Sequence, residues 1–224
     1  MRLFLFDIDG TLVWTRGAGR EATQHAMIEV FGTCGALAAH HFGGKTDWQT
    51  LHELLHEAGM THAEIERRMP EYNAAMGRQL EAIIGQYPVE ACPGSLELVE
   101  LLRQRDDVGL GIVTGNVSTT APIKLRAAGF DPAWFPVGAY GHESMARDNL
   151  PALAVARAVE HYRYPFAPEE VIVIGDTAAD ISCARALGAV AVAVETGFTQ
   201  EGELVNAKPD YLLRDLTEFE RVFA

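Results

Sequence analysis

Asp7-Ile8-Asp9-Gly10-Thr11 places two carboxylates two positions apart, directly after the apolar run 3–6. Side chains alternate with a period of two along a strand, so both acids leave on the same side. A third acid, Asp176, follows the apolar run 171–174, and Asp180 comes four residues later, one turn along a helix beginning there. Carboxylates a few ångströms apart repel unless one takes a proton or a cation joins them. A hard divalent ion answers this, and Mg2+ fits because it prefers oxygen ligands and is held by one or two carboxylates plus substrate phosphate. Thr114-Gly115-Asn116 closes another apolar run. Its hydroxyl and the amides of a turn entering a helix make an anion site for phosphoryl oxygens. Arg147, just before a helix over 150–162, supplies a cation for the same group.

Positioning these residues needs parallel strands whose carboxyl ends share one edge. The runs 3–6, 109–113, 171–174 and 190–194 read as buried strands, and helical spacing fills 95–105, 117–128, 150–162 and 179–187 between them. Strand and helix alternate, which predicts an α/β core: a Rossmann-like parallel sheet with helices on both faces and a ligand cleft at its carboxyl edge. The stretch 15–89 breaks the rhythm, with helical patterns over 21–31, 47–58 and 63–85 and no convincing strand. It reads as an all-helical cap inserted into a core of residues 1–14 and 90–224. Gly17, Gly19, Pro88 and Pro93 are the expected joints.

The series Asp7-x-Asp9-Gly10-Thr11, Thr114-Gly115-Asn116, a basic residue, then Gly175-Asp176-x-x-x-Asp180 resembles the haloacid dehalogenase-like (HAD) hydrolase superfamily, specifically its phosphoglycolate phosphatase-like branch. The resemblance spans nearly the whole chain and implies a Mg2+-dependent phosphatase working through an aspartyl-phosphate. Asp7 would be nucleophile and metal ligand, and Asp9 the general acid and base that lends its backbone carbonyl to the metal. Thr114 would bind phosphate, Asp176 the metal, and Asp180 would act through another ligand or a water. The family's third motif is usually lysine, and Arg147 stands in its place. Arginine holds phosphate bidentately and keeps its charge, so the exchange is physically tenable. A phosphosugar mutase and a phosphonatase are the alternatives within the superfamily.

The 224 residues, 48% hydrophobic and 22% charged, can bury a substantial core. A formal charge of -13 opposes nucleic acid and anionic membrane as partners and leaves a small-molecule phosphate ester as the expected substrate. Cys34, Cys92 and Cys183 form no disulfide framework, and Met1 to Phe6 is too short for a signal peptide or a span, so the expected location is cytoplasmic. Oligomeric state is not legible, because core-facing and partner-facing stripes look alike.

One rival signal lies in the insert. His52, Glu53, His56 and His62 satisfy HExxHxxGxxH, the zinc signature of metzincin proteases. Against it, Leu51, Leu54, Leu55 and Ala58 make an ordinary amphipathic stripe with the histidines on its flank. Arg16, Arg20 and Lys45 are candidate contacts for a substrate's leaving group, Lys45 in a glycine-rich turn with Asp47 as a possible N-cap.

Overall fold

The computed structural model describes residues 1–200 and 202–223. Its centre is strand β1 (Arg2–Phe6), hydrogen-bonded in parallel on both sides, so Leu3 to Phe6 are wholly buried and the run is continuously apolar. After β1 come β2 (Val13–Trp14), α1 (Ala18–Phe31), α2 (Asp47–Glu57), α3 (His62–Ile83) and β3 (Glu90–Ala91). The chain then alternates through α4 (Ser95–Leu102), β4 (Val108–Thr114), α5 (Ala121–Ala127), β5 (Val137–Tyr140), α6 (Leu150–Tyr162), β6 (Val171–Gly175), α7 (Ala178–Leu187), β7 (Val190–Val194) and β8 (Tyr211–Leu213). The sheet order is β5-β4-β1-β6-β7-β8, with every pair parallel.

Period-two alternation sorts the core into two layers. Phe4, Phe6, Ile172 and Ile174 pack on one face with α4 and α5, and Leu3, Leu5, Val171 and Val173 on the other with α6 and α7. The expected α/β sheet is therefore present. Two edge strands, β5 and β8, were not among the expected ones. They have four and three residues, and Gly138 interrupts the apolar run of β5. The helix expected over 117–128 starts only at Ala121, because Val117 to Thr120 form a turn.

Helices α1, α2 and α3 bury their apolar sides in a cluster of their own that includes Ala22, Met27, Leu51, Leu55, Tyr72 and Leu80, and Val117 and Ile123 join it from the sheet side. The chain enters and leaves this helical segment through an antiparallel ribbon, Val13 opposite Ala91 and Trp14 opposite Glu90. Arg16 and Gly17 have positive φ just beyond it, whereas Gly19, an expected joint, lies inside the first turn of α1.

A further attachment fixes α2 onto the sheet's carboxyl edge. Asp47 N–H donates to the Gly115 carbonyl (2.7 Å), Trp48 N–H to Gly141 (3.1 Å) and the Thr46 hydroxyl to Met145 (3.1 Å). In return, Val117 N–H donates to the Asp47 carboxylate (2.8 Å). Only glycine allows this approach: a Cβ on residue 115 would lie 2.1 Å from the Lys45 carbonyl oxygen, and one on residue 141 would lie 1.7 Å from that of Gly115. Thr46, not Asp47, is the N-cap, accepting from Gln49 N–H at 3.0 Å.

Candidate active site

The end of β1 carries Asp7, whose N–H donates to Ile174 of β6 (2.9 Å) and so locks the position of its side chain. The end of β6 carries Asp176, and the first turn of α7 carries Asp180. Among the described residues these three buried carboxylates are the one group that offers ligand atoms within 4.8 Å of one another. Glycines make room for them: a Cβ on Gly10 would sit 2.5 Å from an Asp176 oxygen, and one on Gly197 would sit 1.7 Å away. Thr11 donates to Asp176 (3.1 Å) and steadies it. Asp180 does two jobs, since one oxygen caps α7 through Thr177 N–H (3.0 Å) and hydroxyl (2.7 Å) while the other accepts from Arg147.

Arg147 is the counter-charge. It is buried, with its terminal nitrogen 3.0 Å from Asp7 and 2.5 Å from Asp180, and its Nε has no hydrogen-bond partner among the described residues. One arginine does not balance three acids. Burial, opposed by Arg147 and reinforced by Asp180 and Asp9, pushes the Asp7 carboxyl up to about 7. Burial and the neighbouring Asp7 and Asp180 push Asp176 up as well. Such a set lacks positive charge, and its all-oxygen, buried donors fit a hard divalent cation. Asp180 stands nearer the centre than the sequence implied, as a member of the carboxylate group itself.

Asp9 has a separate set of partners. It is partly exposed and accepts from Lys124 Nζ (2.6 Å), Asn116 Nδ2 (2.7 Å) and the Thr15 hydroxyl (3.2 Å). Burial would raise its carboxyl, but the Lys124 ammonium and these donors outweigh that and hold it below the usual range. Thr114 is fully buried at the end of β4, where its hydroxyl accepts from Asn116 Nδ2 (2.7 Å). Thus Asp7, Asp9, Thr114, Gly115, Asn116, Arg147, Asp176 and Asp180 gather at one sheet edge.

The cations of the insert have other partners. Arg16 pairs with Glu90 and stacks on Trp14, and Arg20 donates to the Leu37 and His40 carbonyls (2.8 Å each) while lying over Phe42. Lys45 pairs with Glu53 (2.5 Å), but its backbone touches Gly115 of the anion turn. The protease alternative loses its geometry. His52 lies 5.4 Å from His56 and 5.5 Å from His62 between ring centroids, yet the three do not bring ligand atoms together, and Glu53 is engaged by Lys45 and Gln49.

The family model for haloacid dehalogenase-like hydrolases matches residues 1–188. The chain belongs to this family. Its similarity to the phosphoglycolate phosphatase of Synechococcus elongatus is 27% identity over 215 residues, 95% of this chain and 92% of that one. The pyrophosphatase PpaX of Bacillus pumilus is 22% identical over 96% of the chain and 92% of its own length. Among solved structures, a hydrolase from Pseudomonas syringae superimposes with a TM-score of 0.72 at 24% identity, covering 100% of this chain and 98% of that one. CbbY from Rhodobacter sphaeroides, in complex with phosphate, gives 0.68 at 19% identity, with coverage of 98% and 96%. These likenesses establish a HAD fold.

Two site residues of this HAD-like hydrolase escaped sequence reasoning. Lys124 sits in α5 on the stripe Ala121, Leu125, Ala128, and a cation at a core position of a helix was the available signal. Asp47 looked like a cap and is instead a buried acid. Burial pushes its carboxyl up to about 6 against the Val117 amide and Lys124. Because the folded value exceeds the ordinary 3.8, the stability tied to its proton is full below pH 4 and lost as pH rises through 6. Asp47→Asn is therefore expected to match wild type in urea unfolding near pH 4 and to gain up to ~3 kcal/mol at pH 7.5. Equal or lower stability at pH 7.5 would refute this reading.

Proposed function

We propose that this HAD-like hydrolase is a Mg2+-dependent phosphatase that cleaves small-molecule phosphate monoesters through an aspartyl-phosphate on Asp7. The observation that carries the reading is the buried carboxylate trio around Arg147, a group short of positive charge beside an unpartnered guanidinium donor. The relatives named phosphoglycolate phosphatase support the substrate class.

Asp7, Asp176 and Asp180, with the Asp9 backbone carbonyl, would hold the ion. Bound Mg2+ would supply the charge that lets Asp7 stay ionised beside an anionic phosphate. An Asp7 carboxylate oxygen attacks phosphorus, and the bond to the ester oxygen breaks with its electron pair going to that oxygen. The leaving oxygen takes a proton from the Asp9 carboxyl, which must acquire one first because its surroundings favour the ionised form. Water then attacks phosphorus, gives a proton back to Asp9, and frees phosphate and the Asp7 carboxylate. Arg147 and the Thr114–Asn116 turn hold the phosphoryl oxygens throughout.

Residues 15–89 act in this proposal as a cap over the core formed by 1–14 and 90–224, and Lys45 is the insert cation best placed to meet a leaving group. No helix among the described residues is long and apolar enough to cross a membrane, and the reading extends to a cytoplasmic enzyme.

The test is phosphate release from a panel of alkyl, aryl and sugar phosphates, with Mg2+, with Zn2+ and with chelator. Release should depend on Mg2+ and fall at least about 10^3-fold in chelator, the scale of losing the charge that stabilises the transition state. Release indifferent to chelator overturns the metal assignment, and conversion of a sugar phosphate to its isomer without free phosphate makes the chain a mutase.

A further inference from the structure

We infer that Lys124 is a positioning residue for Asp9, holding the carboxyl where it can exchange a proton with the ester oxygen. This deepens the phosphatase reading and rests on it. Lys124 is 3% exposed, and its ammonium is engaged by two side chains of the site. It donates to Asp9 Oδ2 and to Asn116 Oδ1, at 2.6 Å each. Asn116 closes the triangle, its Nδ2 donating both to the same Asp9 oxygen (2.7 Å) and to the Thr114 hydroxyl (2.7 Å). Thr15 holds the second Asp9 oxygen. The carboxyl is thus gripped from three elements, and Lys124 ties its position to the turn that receives phosphate.

A buried ammonium is a poor way to stabilise a helix contact. Packing Lys124 beside Leu125 and Ile123 sacrifices its hydration, and an apolar residue there would fill the same space without that loss. The pairing makes sense as a gauge of direction, because an unheld Asp side chain is free to rotate and general acid catalysis depends on alignment within hydrogen-bond reach. The helical insert closes the last side: a Cβ on Gly19, in the first turn of α1, would lie 3.3 Å from Lys124 Nζ. The ammonium is therefore enclosed by α5, the Asn116 turn and α1, with Asp9 as the carboxylate it hydrogen-bonds and Asp47 close enough to feel its charge.

The consequence depends on the leaving group. An alkoxide must be protonated as it departs, whereas p-nitrophenolate leaves without a proton. In full-length Lys124→Met, kcat/KM, which reports the steps up to leaving-group release and not the later attack of water, should fall about 100-fold for an alkyl phosphate and less than about 10-fold for p-nitrophenyl phosphate, within the usual span of general acid catalysis. Adding Asp9→Asn to Lys124→Met should slow the alkyl ester no more than Asp9→Asn alone, since the two act as one unit. A second measurement is independent of activity: a crystal structure of Lys124→Met should show the Asp9 carboxyl turned from its Asn116 contact. Equal slowing of both esters with additive effects, or an unmoved Asp9, overturns the inference. If wild type cleaves neither ester, the phosphatase reading fails, and the position of Asp9 in that crystal still decides whether Lys124 holds it.

Discussion

Asp7→Asn is expected to make the protein inactive and, without metal, more stable. Removing a nucleophile that forms a covalent intermediate should lower phosphate release by at least about 10^3-fold, because binding and the anion turn cannot replace the attacking oxygen. The stability gain follows from charge. Asp7 lies buried with Asp176 and Asp180, and its carboxyl is raised to about 7. With the folded value above the ordinary 3.8, stability is full at low pH and falls as pH rises from about 4 through 7. At pH 8 an asparagine, which cannot ionise, should be more stable than wild type by up to ~4 kcal/mol, and at pH 4 the two should coincide. Millimolar Mg2+ should narrow the gap at pH 8 by binding folded wild type preferentially. Urea unfolding at the two pH values, with and without Mg2+, measures all of this. A variant less stable than wild type at pH 8 without metal would show that the carboxylates are not in conflict.

Replacing Arg147 should do the opposite. Its guanidinium is the buried cation paired with Asp7 and Asp180. Arg147→Met roughly keeps the volume but leaves Asp7 and Asp180 without their cation, the situation in which breaking a buried pair costs about 3–5 kcal/mol. For a chain of this size each kcal/mol moves Tm by roughly 2–4 °C, so a drop of about 10 °C is expected in metal-free buffer at pH 8. Acid should shrink the loss as the carboxyls take protons. Arg147→Lys restores one charge but neither the planar fork nor the unpartnered Nε, so it should recover most of the stability while keeping weaker phosphate binding. A calorimetric scan of the three proteins, with phosphate as competitor in the assay, tests the assignment. If Arg147→Met melts with wild type, the guanidinium is not the counter-charge.

The carboxylate edge was legible in the sequence because Asp7 and Asp176 each stand at the end of a continuous apolar run, and fully buried parallel strands produce such runs. Asp7, Asp9 and Asp176 needed only the period of two and the ends of β1 and β6. What stayed hidden depended on contacts between distant segments. Lys124 is one charge in a short helix until the sheet brings Asp9, 115 residues away in sequence, to its ammonium. Asp47 read as a cap because its local neighbours allow it, and only the Val117 amide shows otherwise. The strands β5 and β8 were too short, and β5 too rich in glycine, to stand out from loop. The HExxHxxGxxH match lies on an amphipathic helix whose Glu53 is engaged by Lys45, a pairing that no local rule shows.

The attachment of α2 at Gly115 and Gly141 bears on recombining this protein with its relatives. A chimera that exchanges residues 15–89 with a relative crosses the chain at two points, both beside the Val13–Trp14 and Glu90–Ala91 ribbon. In this chain the foreign segment would also meet a third seam, where the Lys45 carbonyl and the Asp47 amide rest against backbone that has no side chain in the way. A recipient with any larger residue at either glycine position would hold the donated helices off the sheet edge. The unit to move between relatives is therefore residues 15–89 together with both glycines.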